Sequence, residues 1–241
     1  MIRVGAPILI LTGAGISAES GLATFRGAGG LWEGHRLEDV ATPEAFARDP
    51  ALVQRFYNLR RAQLRDPAIR PNPAHEALVR LARAWPGPVT LVTQNVDDLH
   101  ERAGHAGVVH MHGSLGRVRC LACDAESAWR EDVETRSACP SCSARGRLRP
   151  AIVWFGEIPQ HLERIADELA ACELFCAIGT SGVVYPAAGF VAEARAHGRA
   201  HTLEINLEPS SVHSVFHEAR YGPASRLVPQ WVDELLADVG D

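Results

Sequence analysis

Apolar residues along the 241-residue chain fall into two recurring patterns. The first is the short unbroken run Ile8-Leu9-Ile10-Leu11-Thr12, which ends on Gly13. A strand covered on both faces has this signature, and such strands belong to parallel sheets. Val89-Thr90-Leu91-Val92-Thr93, Leu174-Phe175-Cys176-Ala177-Ile178 and His201-Thr202-Leu203-Glu204-Ile205-Asn206 repeat it. The second pattern has helical spacing and lies between these runs. It predicts helices over residues 73–84, where Pro73 suits a first turn, over 160–172 and 186–197, and over 229–239 near the C-terminus. Strands alternating with helices predict a doubly wound α/β sheet. Two stretches break the alternation. Residues 32–70 carry helix signals without a convincing strand, and residues 117–149 carry cysteines and many polar groups. Both are expected to be insertions that pack together as a smaller domain. Residues 1–31, 71–116 and 150–241 are then left to form the large one.

Composition narrows the function. Hydrophobic residues make up 46% of the chain, enough for a substantial core, and the net charge is -5. That balance argues against a generally adhesive nucleic-acid or membrane surface, so no nucleic-acid partner is expected. All 24 basic residues are arginine. The absence of lysine excludes a lysine nucleophile, a Schiff base and a P-loop lysine. No apolar run reaches the roughly 18 residues of a membrane span. The N-terminal residues lack the order of a signal peptide. Six cysteines in such a chain point to a reducing compartment and to metal ligation. The expected location is the cytoplasm.

Candidate chemistry gathers at three places. Cys120, Cys123, Cys139 and Cys142 form a C-x2-C-x15-C-x2-C array. Four thiolates close a tetrahedral zinc site with no open position, so the metal is expected to be structural and to stabilise a segment with little core of its own. The rivals are four free cysteines and a nucleic-acid-binding zinc ribbon. Arg117, Arg119, Arg145, Arg147 and Arg149 surround the array and are read as a solvated face. Cys172 and Cys176 lie in apolar runs and are read as core. Second, Gly13-x-Gly15-x-x-Ala18 after a strand fits the turn that brings backbone close to a pyrophosphate at a helix N-terminus, as in Rossmann-like folds. The acidic residue expected about 20 positions later has only Glu38 and Asp39 as candidates, with no strand before them. An ordinary dehydrogenase is therefore disfavoured. Third, Val108 to Gly113 reads as a strand ending at a turn, with His110 and His112 on one side. A metal pair, a satisfied buried histidine and a catalytic base all remain open for them.

A resemblance to a known family covers nearly the whole chain. Gly13-Ala14-Gly15-Ile16-Ser17-Ala18-Glu19-Ser20-Gly21-Leu22-Ala23-Thr24-Phe25-Arg26 resembles the opening motif of the sirtuins, the NAD-dependent protein-lysine deacylases. Thr93-Gln94-Asn95-Val96-Asp97-Asp98-Leu99-His100 and His112-Gly113-Ser114-Leu115 resemble their second and third motifs. The cysteine array follows where that family keeps zinc. Ile152-Val153-Trp154-Phe155-Gly156-Glu157, Gly179-Thr180-Ser181 and Glu204-Ile205-Asn206-Leu207-Glu208 continue the match in order. The resemblance implies NAD as co-substrate, one structural zinc and acyl-lysine proteins or peptides as partners. It implies that the acyl-lysine oxygen displaces nicotinamide from the ribose. His112 then serves as general base for the ribose hydroxyl, with free lysine and O-acyl-ADP-ribose as products. An imidazole suits that task because its unperturbed pKa is about 6.5.

The same resemblance distributes the remaining roles. Asn95 and Asp97 line the nicotinamide side with Ile16 and Ser17, and Gln94 positions the ribose and His112. Gly13, Ala14, Gly15, Phe25, Arg26, Trp32, Gly179, Thr180, Ser181, Asn206, Leu207, Glu208 and Ala224 hold the rest of NAD. Val153, Trp154 and Phe155, with residues 182–185, clasp the substrate peptide as an added strand. His110 is left as structural. Tyr57 and Arg60 lie three residues apart on one predicted helix face and can bind a terminal carboxylate. With the small Ala41 they resemble the class III sirtuins, which remove succinyl and malonyl groups. The implied activity is removal of acetyl, succinyl and malonyl groups. The alternatives are an NAD-dependent protein ADP-ribosyltransferase and a non-catalytic NAD or nucleic-acid binding module.

Overall fold

The computed structural model describes residues 2–23, the backbone of 31 and 32, and residues 34–239. The strands along the chain are β1 (Ile8–Thr12), β2 (Leu31–Trp32), β3 (His35–Arg36), β4 (Val89–Thr93), β5 (Val109–His110), β6 (Gly113–Cys120), β7 (Glu126–Ala128), β8 (Leu148–Ile152), β9 (Leu174–Ile178), β10 (His201–Asn206) and β11 (Glu218–Tyr221). The α-helices are α1 (Ala14–Ala18), α2 (Leu37–Val40), α3 (Pro43–Arg48), α4 (Pro50–Arg65), α5 (Pro73–Ala84), α6 (Leu99–Ala103), α7 (Leu162–Ala171), α8 (Phe190–Ala196) and α9 (Ala224–Ala237). Among the described residues no helix is long and apolar enough to cross a membrane.

Six strands form a parallel sheet in the order β11-β10-β9-β1-β4-β5. The chain moves outward from β1 to β5, then returns to β1 and moves out the other way. The order therefore reverses between β1 and β9, which is where a doubly wound sheet opens its ligand crevice. All five residues of β1 are buried, which explains the unbroken apolar run. Ile8 and Ile10 face a core shared with α5 and α9, whereas Leu9 and Leu11 face one shared with α7 and α8. This is the three-layer α/β architecture that the alternation predicts.

Local signals fix several helix starts. Asn72 caps α5 with its side chain on Ala74 N at 3.0 Å, with Pro73 in the first turn. Thr42 and Asp49 cap α3 and α4 in the same way. Each such cap contributes about 1 kcal/mol.

The smaller body joins α2, α3 and α4 to a second sheet, ordered β7-β6-β8. Val40, Ala41, Phe56 and Tyr57 pack there against Leu115, Ile152 and Trp154. Asn58 sews α4 to the cysteine segment. Its Nδ2 donates to Val133 O at 3.0 Å, and its Oδ1 accepts from Val133 N at 2.9 Å.

Four features differ from the sequence reading. Leu31–Trp32 pairs antiparallel with His35–Arg36, β2 with β3. β11 was not expected, because its residues alternate between half-buried and exposed and give no apolar run. α9 begins five residues before the expected start and carries Pro229 inside it. Its first turn is held by Glu19, whose carboxylate accepts from Ser225 N at 2.9 Å and from Ser225 Oγ at 2.5 Å. That partner lies 206 positions away, beyond any local signal. β5 stops at His110, so Met111 and His112 lie in the turn that leads into β6.

Candidate active site

The crevice at the β1–β9 switch is closed by backbone meeting backbone. Gly13 N donates to Ile178 O at 3.0 Å, and Gly15 N donates to Gly179 O at 2.9 Å. A Cβ on Gly13 would lie 2.7 Å from Gly179 O, and one on Gly15 would lie 2.6 Å from Gly179 Cα. Gly179 itself has φ +64°, and its Cβ would meet Ile16 N at 2.4 Å. Gly13 and Gly15, read from the sequence as room for a pyrophosphate, turn their missing side chains toward Gly179. Asn206 Nδ2 donates to Thr180 O at 2.7 Å and ties the end of β10 to the same loop.

A buried polar network lies beside this seam. Asn95 follows β4, and its Nδ2 lies 3.1 Å from Gly13 O and 3.2 Å from Ser17 Oγ. Ser17 Oγ donates to Asp97 Oδ2 at 3.1 Å. Burial pushes the Asp97 carboxyl up to about 6, against the opposing pull of the Leu99 N–H and the Ser17 hydroxyl. Beneath them Thr12 Oγ1 donates to Thr93 Oγ1 at 2.9 Å and lies 3.0 Å from His100 Nε2. Burial holds His100 well below the ordinary imidazole range. Thr12, Thr93 and His100 had no assigned role in the sequence. Their common signal is polarity at positions buried by their neighbours.

His112 Nδ1 lies 3.1 Å from Gln94 O. A carbonyl only accepts, so Nδ1 carries the proton and Nε2 of the neutral ring is a base. Burial lowers the His112 pKa, which keeps it neutral. Gln94 and Thr180 line a narrow cavity with Leu11, Phe175 and Val212.

The four cysteine sulfurs lie within 4.8 Å of one another. Cys120 to Cys142 is 3.7 Å and Cys123 to Cys139 is 3.8 Å. A tetrahedron with Zn–S bonds of about 2.3 Å has edges of about 3.8 Å, so the array fits zinc. Two matching turns build it. Cys120 Sγ accepts from Ala122 N and Cys139 Sγ accepts from Ser141 N, each at 3.4 Å. Asp124 and Ser143 follow the second cysteine of each pair, both with φ 61°.

A third cluster sits under the Val153-Trp154-Phe155 segment. Trp154 Nε1 donates to Tyr57 Oη at 2.9 Å, and Phe155 N donates to Ala41 O at 3.0 Å. Burial drives the Tyr57 pKa far above its ordinary value, so the phenol stays protonated. Arg60 lies on the same helix, its guanidinium 3.9 Å from the Phe56 ring centre. Arg149 corrects the sequence reading of a solvated arginine face. It is 6% exposed, stacks on Trp154 at 3.5 Å and grips Glu157 at 2.6 and 2.8 Å. Arg117 and Arg119 do lie at the surface, paired with Glu126 and Asp124.

The sequence profile of the Sir2 family matches residues 13–186, more than two thirds of the chain. The chain belongs to the Sir2 family. A protein named NAD-dependent protein deacylase from Bdellovibrio bacteriovorus is 57% identical over 235 residues, covering 98% of this chain and 99% of its own. The crystal structure of a Sir2 homolog–NAD complex superposes with a TM-score of 0.87 at 37% identity, covering 97% of this chain and 91% of that one. A Sir2Af2 structure bound to a myristoylated histone peptide gives 0.75 at 31% identity, covering 97% and 92%.

The Sir2 fold thus gathers the motif residues in two places. Gly13, Gly15, Ile16, Ser17, Gln94, Asn95, Asp97, His112, Gly179, Thr180 and Asn206 border the switch-point crevice. Ala41, Tyr57, Trp154 and Phe155 meet under the segment that leaves β8, and Arg60 lies on α4 with Tyr57. Leu207 is exposed beyond β10, and Ala224 is buried at the start of α9. Phe25, Arg26 and the Trp32 side chain lie outside the described residues.

Proposed function

We propose that this Sir2-family protein is a NAD-dependent deacylase that removes acetyl, succinyl and malonyl groups from protein lysines, releasing nicotinamide and O-acyl-ADP-ribose. The supporting observation is His112, a neutral imidazole whose Nδ1 is committed to Gln94 O beside the buried Asn95–Ser17–Asp97 network. NAD supplies the electrophilic ribose carbon and accepts the acyl group. Asn95, Ser17 and Asp97 offer the amide, hydroxyl and carboxyl that recognise nicotinamide. His112 Nε2 takes the proton from the attacking ribose hydroxyl, while Gln94 O keeps the ring oriented. Thr180 and Asn206 shape the opposite wall of the crevice.

The test is nicotinamide release with NAD and matched acetyl-lysine and succinyl-lysine peptides. His112→Ala is expected to lower the deacylation rate about 10²- to 10⁴-fold with little change in thermal stability. Because burial lowers the His112 pKa and the neutral ring is the active form, His112 sets the acid side of the profile, with activity lost as pH falls through that depressed value. Unchanged turnover in His112→Ala would remove the base assignment. Label from NAD appearing on protein, with no free lysine, would indicate ADP-ribosyl transfer instead.

Acyl preference is assigned to Tyr57 and Arg60. A protonated phenol and a guanidinium on one helix face suit a terminal carboxylate, and Ala41 leaves room for its chain. Arg60→Met is expected to reduce desuccinylation about 10- to 100-fold while sparing deacetylation, the equivalent of one charge-assisted hydrogen bond. Equal loss of both activities would argue against the carboxylate clamp.

A further inference from the structure

His110 stands two residues before His112, and each of its ring nitrogens faces an acceptor. Nδ1 lies 3.2 Å from Asn95 O, and Nε2 lies 2.6 Å from a Glu101 carboxylate oxygen. A carbonyl and a carboxylate only accept, so a ring that serves both carries two protons. The two histidines thus donate to consecutive carbonyls, His112 to Gln94 and His110 to Asn95. Asn95 is thereby held at four points: its N–H on Thr93 Oγ1 at 3.0 Å, its Nδ2 on Gly13 O and Ser17 Oγ, and its carbonyl on His110.

We infer that His110, held as an imidazolium by Glu101, is a positioning residue that fixes Asn95 for the nicotinamide end of NAD. The inference rests on the deacylase function proposed above. It differs in kind from the role of His112, since His110 acts through Asn95.

A pH signature follows. Burial pulls the His110 pKa down, but the Glu101 contact and the charge of Asp97 outweigh it, and the net shift is upward. The ionisable groups around it are Glu101 and His100 on α6 and Asp97 before that helix, with His105 acting on Glu101 from beyond the helix. Once the ring loses one proton it can donate to Glu101 or to Asn95 O, not to both. The charge-assisted bond to the carboxylate is the stronger, so the Asn95 contact is the one lost. Activity therefore falls as pH rises through the raised His110 pKa, whereas His112 sets the acid side.

Two substitutions separate the contacts. Asn places an amide nitrogen near the position of Nδ1, and Gln places one near Nε2. His110→Asn keeps the donor to Asn95 O, and His110→Gln keeps the partner for Glu101. Nicotinamide release from NAD and an acetyl-lysine peptide is measured for both across the neutral and alkaline range. His110→Gln is expected to lose about tenfold in kcat/KM for NAD, the effect of one buried hydrogen bond, with His110→Asn within about threefold of the parent. The alkaline decline should be absent in His110→Asn. It should be absent also in Glu101→Gln, whose amide can donate to a neutral ring; this variant carries the test if either His110 variant fails to fold. Equal rates in His110→Asn and His110→Gln, or an alkaline decline unchanged in Glu101→Gln, would overturn the inference. A parent enzyme that releases no nicotinamide would instead reject the deacylase function on which it rests.

Discussion

Stripping metal from the Cys120–Cys123–Cys139–Cys142 cluster is expected to unfold the β6–β8 segment and abolish deacylation, and Cys142→Ser is expected to do the same. The segment's own buried cluster is small: it consists of Val118, Cys120, Val133, Cys139 and Leu148, and two of those five are ligands. Structural zinc contributes about 10–16 kcal/mol of apparent folding free energy in zinc-finger peptides. A whole domain is stable by only about 5–15 kcal/mol. The damage should travel, because Val133 is bonded to Asn58 on α4, and α4 carries Tyr57 and Arg60. Metal analysis should return one zinc per chain. Chelation should open the cysteine segment to proteolysis while the six-stranded sheet stays resistant. A chelated protein with an unchanged cleavage pattern would show that the four sulfurs are not the fastening.

Gly179→Ala is expected to be among the costliest glycine-to-alanine changes, alongside Gly113→Ala, where φ is +77° and the added Cβ would meet Ala151 O at 2.1 Å. Two penalties combine at Gly179. The left-handed φ of +64° costs a residue with Cβ about 1–2 kcal/mol. The added methyl also meets Ile16 N at 2.4 Å and Gly15 Cα at 2.7 Å, backbone atoms that cannot rotate away. Relieving that contact means parting β1 from β9 at the crevice. Gly198→Ala serves as the control, since its φ is +71° and nothing lies within 4 Å of the added Cβ. Denaturant unfolding should show about 1–2 kcal/mol for Gly198→Ala and at least about twice that for Gly179→Ala, with NAD binding also lost. Equal costs at the two sites would mean that the seam yields.

Much of this was legible in the sequence, for reasons that differ by element. β1 and β9 are covered on both faces, so burial writes a continuous apolar run; β4 and β10 are largely buried too, though Thr90 interrupts β4 and Thr202 and Glu204 interrupt β10. β11 sits at the sheet edge with half its residues exposed, so it writes none. The cysteine array is legible because a tetrahedron demands its spacing. Arg149 reads as solvated because it belongs to a cluster of arginines around the cysteines, and its partners Glu157 and Trp154 are brought to it only by the turn after β8. The start of α9 escaped detection because its cap, Glu19, comes from the other end of the chain. Trp154 reads as a peptide-binding residue from its motif, and its bond to Tyr57 ties it to α4 as well, a contact no motif signals.

The position of β1 bears on the order in which the molecule can be made. It is the first strand synthesised, yet it pairs with β4, some 80 residues later, and with β9, more than 160 residues later. Closing such long loops carries an entropic cost that must be met before the contacts form. During translation the apolar run Ile8–Leu11 therefore waits, half paired, until β9 leaves the ribosome. The bond from Gly15 to Gly179 cannot exist before then. The crevice is a late product of folding, and a chain truncated before residue 179 has no means of assembling it.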